Sequence, residues 1–541
     1  MAPSGRVGYN RLEENIMKLA MKRALLATCA VAYATFALAQ DIRIGTSSEP
    51  TSMDPHFHNL TPNNQIMAHI FEPLISMDAK QTIRPGLAES WKVIDDTTWE
   101  FKLRAGVKFH DGSDFGVDDV IATWARAPEV PKSPSNFSAY IRGKTIEKVD
   151  DLTFRIKTAG PEPLMLNHLA QFGIISRKNK DMTTEDYNSG KAASGTGPFK
   201  FSEYVAGDRV VLTRNDTHWG GKPTWGKVTF KSIKSDPTRV AALLSGDVDV
   251  IENVPTADAQ RIKKDARLTT ASALSNRVIY FHLDRHRDTT PFIKGKDGAD
   301  IKNPLYDLRV RQALSKALNR PAIVERVMEG EAEPASQFIP ESYAGTSKNL
   351  KPTAYDLDGA KKLLAEAGLP NGFKITIHGP NGRYTNDAKI LEAAGQMWAR
   401  LGLDVSVEAI PAANFFSRAS TGGAGGVPEF SLFLVGWSAG TGEPSDSVKA
   451  LTTTFDRSKG TGSANRGRYS NPKVDELLLA AIRTVDNAKR NAMLAEATEI
   501  AMNDVAIIPI HYPLNTWAAK KEFTITPRSD EYTLATSFGR K

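Results

Sequence analysis

The chain has 541 residues, of which 41% are apolar and 24% charged, with a formal net charge of +7 and a single cysteine. That length and apolar content suffice to bury more than one core, with ordinary domain sizes giving about two to four lobes, and exclude a disordered or fibrous chain. Lysines and arginines are scattered among acids, and no aromatic-interleaved basic stretch occurs, which excludes a nucleic-acid-binding surface.

The N-terminal segment carries Lys18, Lys22 and Arg23, then an apolar run from Ala24 to Leu38, with Ala37 and Ala39 at the A-x-A positions before Gln40. This pattern predicts a secretory signal peptide over 1–39, cleaved near Ala39/Gln40, with Met17 or Met21 as alternative starts. A lipoprotein reading of Leu26-Ala27-Thr28-Cys29 fits less well, because the cysteine comes too early in the apolar run. Cys29 lies inside the signal, so the exported chain has no thiol and no disulfide. Removing residues 1–39 takes away five Lys/Arg and two Asp/Glu, leaving 64 basic against 60 acidic residues, a balance of +4. No later stretch reaches about 18 apolar residues, so an exported protein without a membrane span is expected.

Asp41 to Gly45 alternates like a short strand and enters the loop Thr51-Ser52-Met53-Asp54-Pro55-His56, after which a helix leads to Phe71-Glu72-Pro73-Leu74. Thr98 to Leu103 and Val107 to Phe109 alternate around Arg104-Ala105-Gly106, which predicts a hairpin closed by a glycine-containing loop. Gly195-Thr196-Gly197-Pro198-Phe199 forms a rigid corner, its glycines serving backbone conformation, and Leu243 to Asp249 reads as a helix end leading to a strand. Gly195-Thr196-Gly197 is no phosphate loop, since no Gly-Lys-Ser/Thr follows.

Beyond about residue 305, helix and strand alternate. Arg309 to Asn319 and Ala360 to Ala367 have helical spacing, with Gly368 as a C-cap. Phe373 to His378, Asp404 to Ile410 and Phe430 to Trp437 read as strands, and Asp387 to Arg400 and Ala488 to Met502 as helices, before a strand-like Ile507-Ile508-Pro509-Ile510. This βαβ order predicts parallel strands with helical crossovers.

The run Phe430 to Pro444, FSLFLVGWSAGTGEP, reads as a buried strand whose C-terminal end opens into a site. It contains Gly436-Trp437-Ser438-Ala439-Gly440, a literal G-x-S-x-G, with His511 downstream as a candidate base. A nucleophile elbow needs a helix straight after the second glycine, and Thr441-Gly442-Glu443-Pro444 suppresses one; no HGGG-type segment occurs either. A secreted serine hydrolase using Ser438 and His511 therefore stands only as the alternative from a different class.

Seven phrases carry a resemblance. They are Ser52-Met53-Asp54-Pro55-His56, Phe71-Glu72-Pro73-Leu74, Leu87-Ala88-Glu89-Ser90-Trp91, Gly106-Val107-Lys108-Phe109-His110-Asp111-Gly112, Gly195-Thr196-Gly197-Pro198-Phe199, Leu244-Ser245-Gly246-Asp247-Val248-Asp249 and Asp307-Leu308-Arg309-Val310-Arg311-Gln312-Ala313. In this order the chain resembles the family 5 extracellular solute-binding proteins of ABC importers, among them dipeptide-, oligopeptide- and nickel-binding members. The resemblance implies an α/β, bilobed periplasmic-binding-protein fold. It places 41–80, 191–280 and 506–541 in the first lobe, 81–190 in an extra subdomain on it, and 281–505 in the second lobe. Tyr280-Phe281-His282 and Pro509-Ile510-His511 are then the hinge-crossing strands. It implies no enzymatic activity and no cofactor. The expected partners are a small organic or peptide-like ligand and a membrane permease, the protein itself being a periplasmic monomer.

In the peptide-binding members an aspartate in Gly-Trp-x-x-Asp-x-x-Asp/Glu-Pro pairs with the ligand's α-ammonium. Here Gly436, Trp437, Glu443 and Pro444 match, while Gly440 stands at the aspartate's position. Burying an ammonium without its partner costs about 3 to 5 kcal/mol. Asn59 likewise stands where oligopeptide binders carry a glutamate. Arg383, in Asn381-Gly382-Arg383-Tyr384, matches the arginine that dipeptide binders offer to a carboxylate, a geometry suited to a guanidinium fork. The resemblance thus implies a carboxylate-bearing solute whose amine is blocked, remote or absent, or met by Glu443 or Asp446 instead. Trp437 is expected to wall the pocket, and Ser438 and Thr441 to donate hydrogen bonds. His56 is expected at the pocket; His56-Phe57-His58 alone lacks the further ligands of a metal site, so a metal or metal-chelate carrier is the alternative within the family.

Overall fold

The computed structural model describes residues 40–458 and 460–541. The signal-peptide reading of 1–39, with Cys29, lies outside the described residues. Among those described, no helix is long and apolar enough to cross a membrane.

One strand organises the molecule. Ile507–Lys520 runs for 14 residues inside a 13-stranded sheet. Its first part pairs antiparallel with Arg277–Leu283, aligning His511 with Ile279 and Ile507 with His282, and its second part pairs with Leu268–Leu274, from Leu514↔Leu274 to Lys520↔Leu268. Tyr280-Phe281-His282 and Pro509-Ile510-His511 thus lie within one half of the sheet, in register with each other. The chain changes halves at Ser275-Asn276 and Pro513-Leu514, where the Ser275 amide donates to the Pro513 carbonyl at 2.9 Å.

In the first half, Gln40–Thr46 lies parallel to Trp225–Ser232 and Val250–Ile251. The buried side chains of Ile42, Ile44, Leu212, Trp225, Phe230 and Trp517 fill one core. In the second half, Lys374–Asn381 and Asp404–Pro411 are parallel neighbours joined by the helix Asp387–Arg400. Leu432–Ser438 lies parallel on the other side of Lys374–Asn381. This is the expected βαβ unit, but Leu432–Ser438 also pairs antiparallel with Arg277–Leu283, so the sheet is mixed. Its two faces bury separate cores, one with Phe281, Ile377, Trp398 and Leu434, the other with Tyr280, Phe415, Phe433 and Val448.

A four-stranded antiparallel sheet over 88–158 has its own core around Trp99, Phe101, Phe154 and Ile156. Here one expectation is corrected. Thr98–Leu103 hairpins with the preceding Ala88–Asp95, not with 107–109. The reason is local: Asp95 Oδ1 accepts from the Thr97 amide (2.8 Å) and hydroxyl (2.9 Å), which closes a tight turn, whereas the chain after Leu103 leads away.

The glycine corner also has a different cause from the expected one. A Cβ on Gly195 would sit 1.9 Å from the Ile70 carbonyl oxygen, and one on Gly197 2.4 Å from that of His69, while neither residue has positive φ. Close backbone approach, not conformation, requires glycine there. Gly246 does use its freedom, ending the helix Asp236–Ser245 at φ 84°.

Candidate ligand cavity

A cavity of 960 Å³ lies between the two sheet halves and the four-stranded unit. Asn59, Arg383, Trp437, Ser438 and Gly440 line it. Leu432–Ser438 is paired to its last residue with Arg277–Leu283, which holds its end at the cavity wall, whereas on its other side only Phe433 is in register with His378.

His56, Thr441 and Glu443 do not line the cavity, and this corrects their assignment as ligand contacts. His56 is 0% exposed: its Nδ1 faces the Arg126 guanidinium at 3.1 Å and its Nε2 meets the Gly173 carbonyl at 2.9 Å. Arg126 clasps Asp54 through two nitrogens at 2.9 and 2.7 Å. Burial, reinforced by the Arg126 charge, pushes the His56 imidazole down to about 4, so it is a neutral structural group. Thr441 and Glu443 are each 5% exposed because the chain turns inward after Gly440 to start the helix Pro444–Leu451. The Glu443 carboxylate accepts from the Ser445 hydroxyl and burial pushes its carboxyl up.

That inward turn is pinned by carboxamides. The Ala439 carbonyl accepts from Asn276 Nδ2 (3.0 Å), the Gly440 carbonyl from Gln171 Nε2 (3.3 Å), and the Thr441 carbonyl from Asn167 Nδ2 (2.7 Å). Asn167 and Gln171 come from the four-stranded unit's side of the cavity and Asn276 from the bend between sheet halves. The Ala439 carbonyl also accepts from the Gly442 amide at 2.9 Å and the Gly440 carbonyl from Gln81 Nε2 at 3.5 Å.

The hydrolase arrangement is not assembled. Ser438 Oγ donates to Asn276 Oδ1 at 2.6 Å, and both His511 nitrogens are buried without a hydrogen-bond partner among the described residues. Burial pushes His511 down to about 3. The helix begins at Pro444, four residues after Gly440, so no strained turn presents the serine. Nor do the histidines form a metal centre: His58 Nδ1 contacts Thr51 Oγ1 at 3.0 Å, and among the described residues no three His, Cys, Asp or Glu side chains gather as metal ligands.

The charged lining divides into paired and unpaired groups. Arg277 binds Glu531 through two nitrogens, both at 3.0 Å; burial opposes ionisation of Glu531, but the Arg277 charge outweighs it and holds the carboxyl low. Arg528 is held by Asp530 at 2.5 Å. Arg383 has no ion pair among the described residues; its guanidinium stacks over the Tyr384 ring at 4.9 Å. Asp446 lines the cavity from the first turn of the helix Pro444–Leu451 without a hydrogen bond to another side chain among the described residues. Burial, and then the neighbouring Glu443, push its carboxyl up to about 6. The Trp437 indole Nε1 has no hydrogen-bond partner among the described residues. Tyr140, whose hydroxyl accepts from Asn59 Nδ2 at 3.2 Å, and Arg466 also line the cavity, and the sequence reading does not single them out. Arg466 sits in a Gly/Ser/Asn-rich loop, where no periodicity marks a functional side chain.

Residues 82–459 match the family model described as bacterial extracellular solute-binding proteins, family 5 middle. The glutathione-binding protein GsiB of Escherichia coli strain K12 is 28% identical over 499 residues, 92% of each chain. The periplasmic binding protein DppA from Helicobacter pylori in complex with the peptide STSA superposes with a TM-score of 0.74 at 24% identity, over 92% of this chain and 98% of that one. HbpA2 from Haemophilus parasuis superposes with a TM-score of 0.77 at 25% identity, over 93% of this chain and 100% of that one.

Proposed function

The chain belongs to the bacterial extracellular solute-binding proteins of family 5, and we propose that it captures a small peptide-like solute by pairing the solute's carboxylate with Arg383 and its amine with Asp446. The observation that carries this reading is that these two opposite charges line one cavity and neither has an ion-pair partner among the described residues. A guanidinium fork matches a carboxylate, and a partly dehydrated carboxylate gains most from an ammonium. Asp446, one turn into the helix after Gly440, takes over the task of the aspartate missing at Gly440. The similarity to a glutathione-binding protein supports a peptide-like class of solute.

In this reading 41–80, 191–275 and 514–541 form one lobe with 81–190 as its subdomain, and 276–513 form the other, the bounds following the change of sheet half. The lobes close about Ser275-Asn276 and Pro513-Leu514, and the closed form is what the permease of an ABC importer receives. The exported protein works as a periplasmic monomer without bond-making chemistry.

Calorimetric titration tests the assignment with three forms of one tripeptide, Ala-Ala-Ala, its N-acetyl form and its C-terminal amide, alongside reduced glutathione. Binding of a free peptide, weakened by about tenfold or more on either blocking, is the expected result. Equal affinity for the three tripeptide forms, or no binding by any of the four, overturns it.

A further inference from the structure

The end of strand Leu432–Ser438 separates two environments. Tyr384, whose hydroxyl donates to the Gly436 carbonyl at 3.1 Å, packs with the core on one face of the sheet and carries Arg383 beside it. Trp437 and Phe416 pack with the core on the opposite face, and the Arg466 guanidinium lies 5.9 Å from the centre of the Phe416 ring. All five side chains line the cavity, so two arginines approach it from opposite faces of the same strand end.

Arg466 is held but not neutralised. Its Nε donates to Ser420 Oγ at 3.0 Å, and its two terminal nitrogens make no hydrogen bond or ion pair among the described residues. One anchored nitrogen fixes the plane of the guanidinium and leaves the paired terminal nitrogens free, the arrangement suited to a bidentate anion. Nearby, Trp437 Nε1 is a further donor without an acceptor. The other lining cations are spent: Arg277 on Glu531, Arg528 on Asp530 and Lys222 on Asp216. Among the lining acids, Glu72 is taken by the Thr196 hydroxyl, the Trp219 indole and His218. Among the described residues, two guanidiniums without an ion pair therefore face one such carboxylate, that of Asp446.

We propose that Arg466 forms a second anion subsite, so that the preferred solute is a peptide-like molecule with two carboxylates and one ammonium, net charge −1. This rests on the cavity being the solute site and Arg383 binding the first carboxylate, and extends that reading to the opposite face of the strand. A ligand of this charge balance pairs all three open groups at once, whereas a simple monocarboxylate peptide leaves one guanidinium without a carboxylate.

The test is a double-mutant cycle between protein and ligand. The probes are reduced glutathione, its glycine carboxamide and its glutamate α-carboxamide, together with the pair Ala-Ala-Asp and Ala-Ala-Asn. Each is titrated calorimetrically into wild type, Arg466→Met, Arg383→Met and Arg466→Lys, after circular dichroism has established that each variant is folded. We expect at least one two-carboxylate probe to bind wild type about tenfold or more tightly than its amide partner. Arg466→Met abolishes that advantage by weakening the two-carboxylate probe while leaving one amide unchanged, and Arg466→Lys retains part of it. If no two-carboxylate probe outbinds its amide in wild type, or if Arg466→Met shifts acid and amide by the same factor, the second subsite is wrong. With the coupling to Arg383 intact, that result overturns the second subsite alone. If no probe of either kind binds folded wild type, the reading of the cavity falls with it.

Discussion

Ser438 Oγ donates to Asn276 Oδ1 at 2.6 Å, and the same Asn276 side chain donates to Gln81 Oε1 at 2.9 Å and to the Ala439 carbonyl at 3.0 Å. One carboxamide, 1% exposed, thus joins the bend between sheet halves, the four-stranded unit's approach and the end of the cavity strand. The serine that matches a nucleophile motif spends its proton on holding the wall in place.

Removing this carboxamide strands buried donors and acceptors. Asn276→Ala is expected to lower unfolding stability by about 1–3 kcal/mol in urea titrations. Wild-type protein is expected to take up no serine-directed phosphonate by mass spectrometry; stoichiometric labelling of Ser438 would revive the hydrolase reading.

Gly440 can accept the aspartate that it replaces. A Cβ there meets nothing within 4 Å, and the backbone does not have positive φ. Gly440→Asp is therefore expected to fold normally and to favour free-amine over N-acetylated peptides by about tenfold more than wild type does. Calorimetry with Ala-Ala-Ala and its N-acetyl form measures the ratio; an unchanged ratio places the amine elsewhere.

Amine binding at Asp446, as proposed, is expected to depend on pH. With its carboxyl pushed up to about 6, it is charged at pH 8 and mostly protonated at pH 5. Affinity for free-amine peptides is expected to fall over that range, and affinity for N-acetylated peptides to stay level. Glu443 and Lys449 act on it with opposite sign, and the Tyr140 hydroxyl, itself pushed up to about 12 chiefly by burial, remains neutral throughout. For stability the sign runs the other way from a paired acid. The folded state holds this proton more tightly than the unfolded state, so stability declines as pH rises from the ordinary value near 3.8 to about 6 and stays reduced above it. Asp446→Asn is expected to raise stability at pH 8 by about 1–2 kcal/mol, less than the full shift because the group is partly open to cavity water. A flat pH profile for free-amine binding would assign the amine to another group.

The buried histidines set the acid limit of the fold. Burial pushes His56 and His69 down to about 4, and His168, His282 and His511 to about 3. The unfolded chain binds their protons below about pH 6.5 and the folded chain does not, so stability is complete above that value and lost as pH falls toward 4. Denaturation at pH 7 and pH 5 should show uptake of more than one proton on unfolding; a pH-independent midpoint would contradict neutral burial.

The Asp54–Arg126 pair is structural. Its side chains are 0% and 8% exposed, so Arg126→Met leaves an uncompensated carboxylate and is expected to cost about 3–5 kcal/mol in urea denaturation. Solute affinity of the folded fraction should remain at the wild-type level, since neither residue reaches the cavity.

Local order was written plainly in the sequence. The helix Asp387–Arg400 begins and ends where its apolar spacing predicts, its flanking strands are parallel as βαβ order requires, and Gly246 caps its helix in the left-handed conformation. These features arise from interactions among residues close in the chain, and periodicity and capping report them directly. The family phrases likewise carried the fold class and the placing of Arg383, Trp437 and Gly440 at a cavity. Only the tertiary structure decided which charges stay open. His56 turned inward because Arg126, 70 residues away, claims the Asp54 loop, and Arg466, held by Ser420, has no ion pair among the described residues. Charge pairing depends on which distant side chains meet in space, and where the pair is buried, as for Asp54 and Arg126, leaving one partner alone costs about 3–5 kcal/mol.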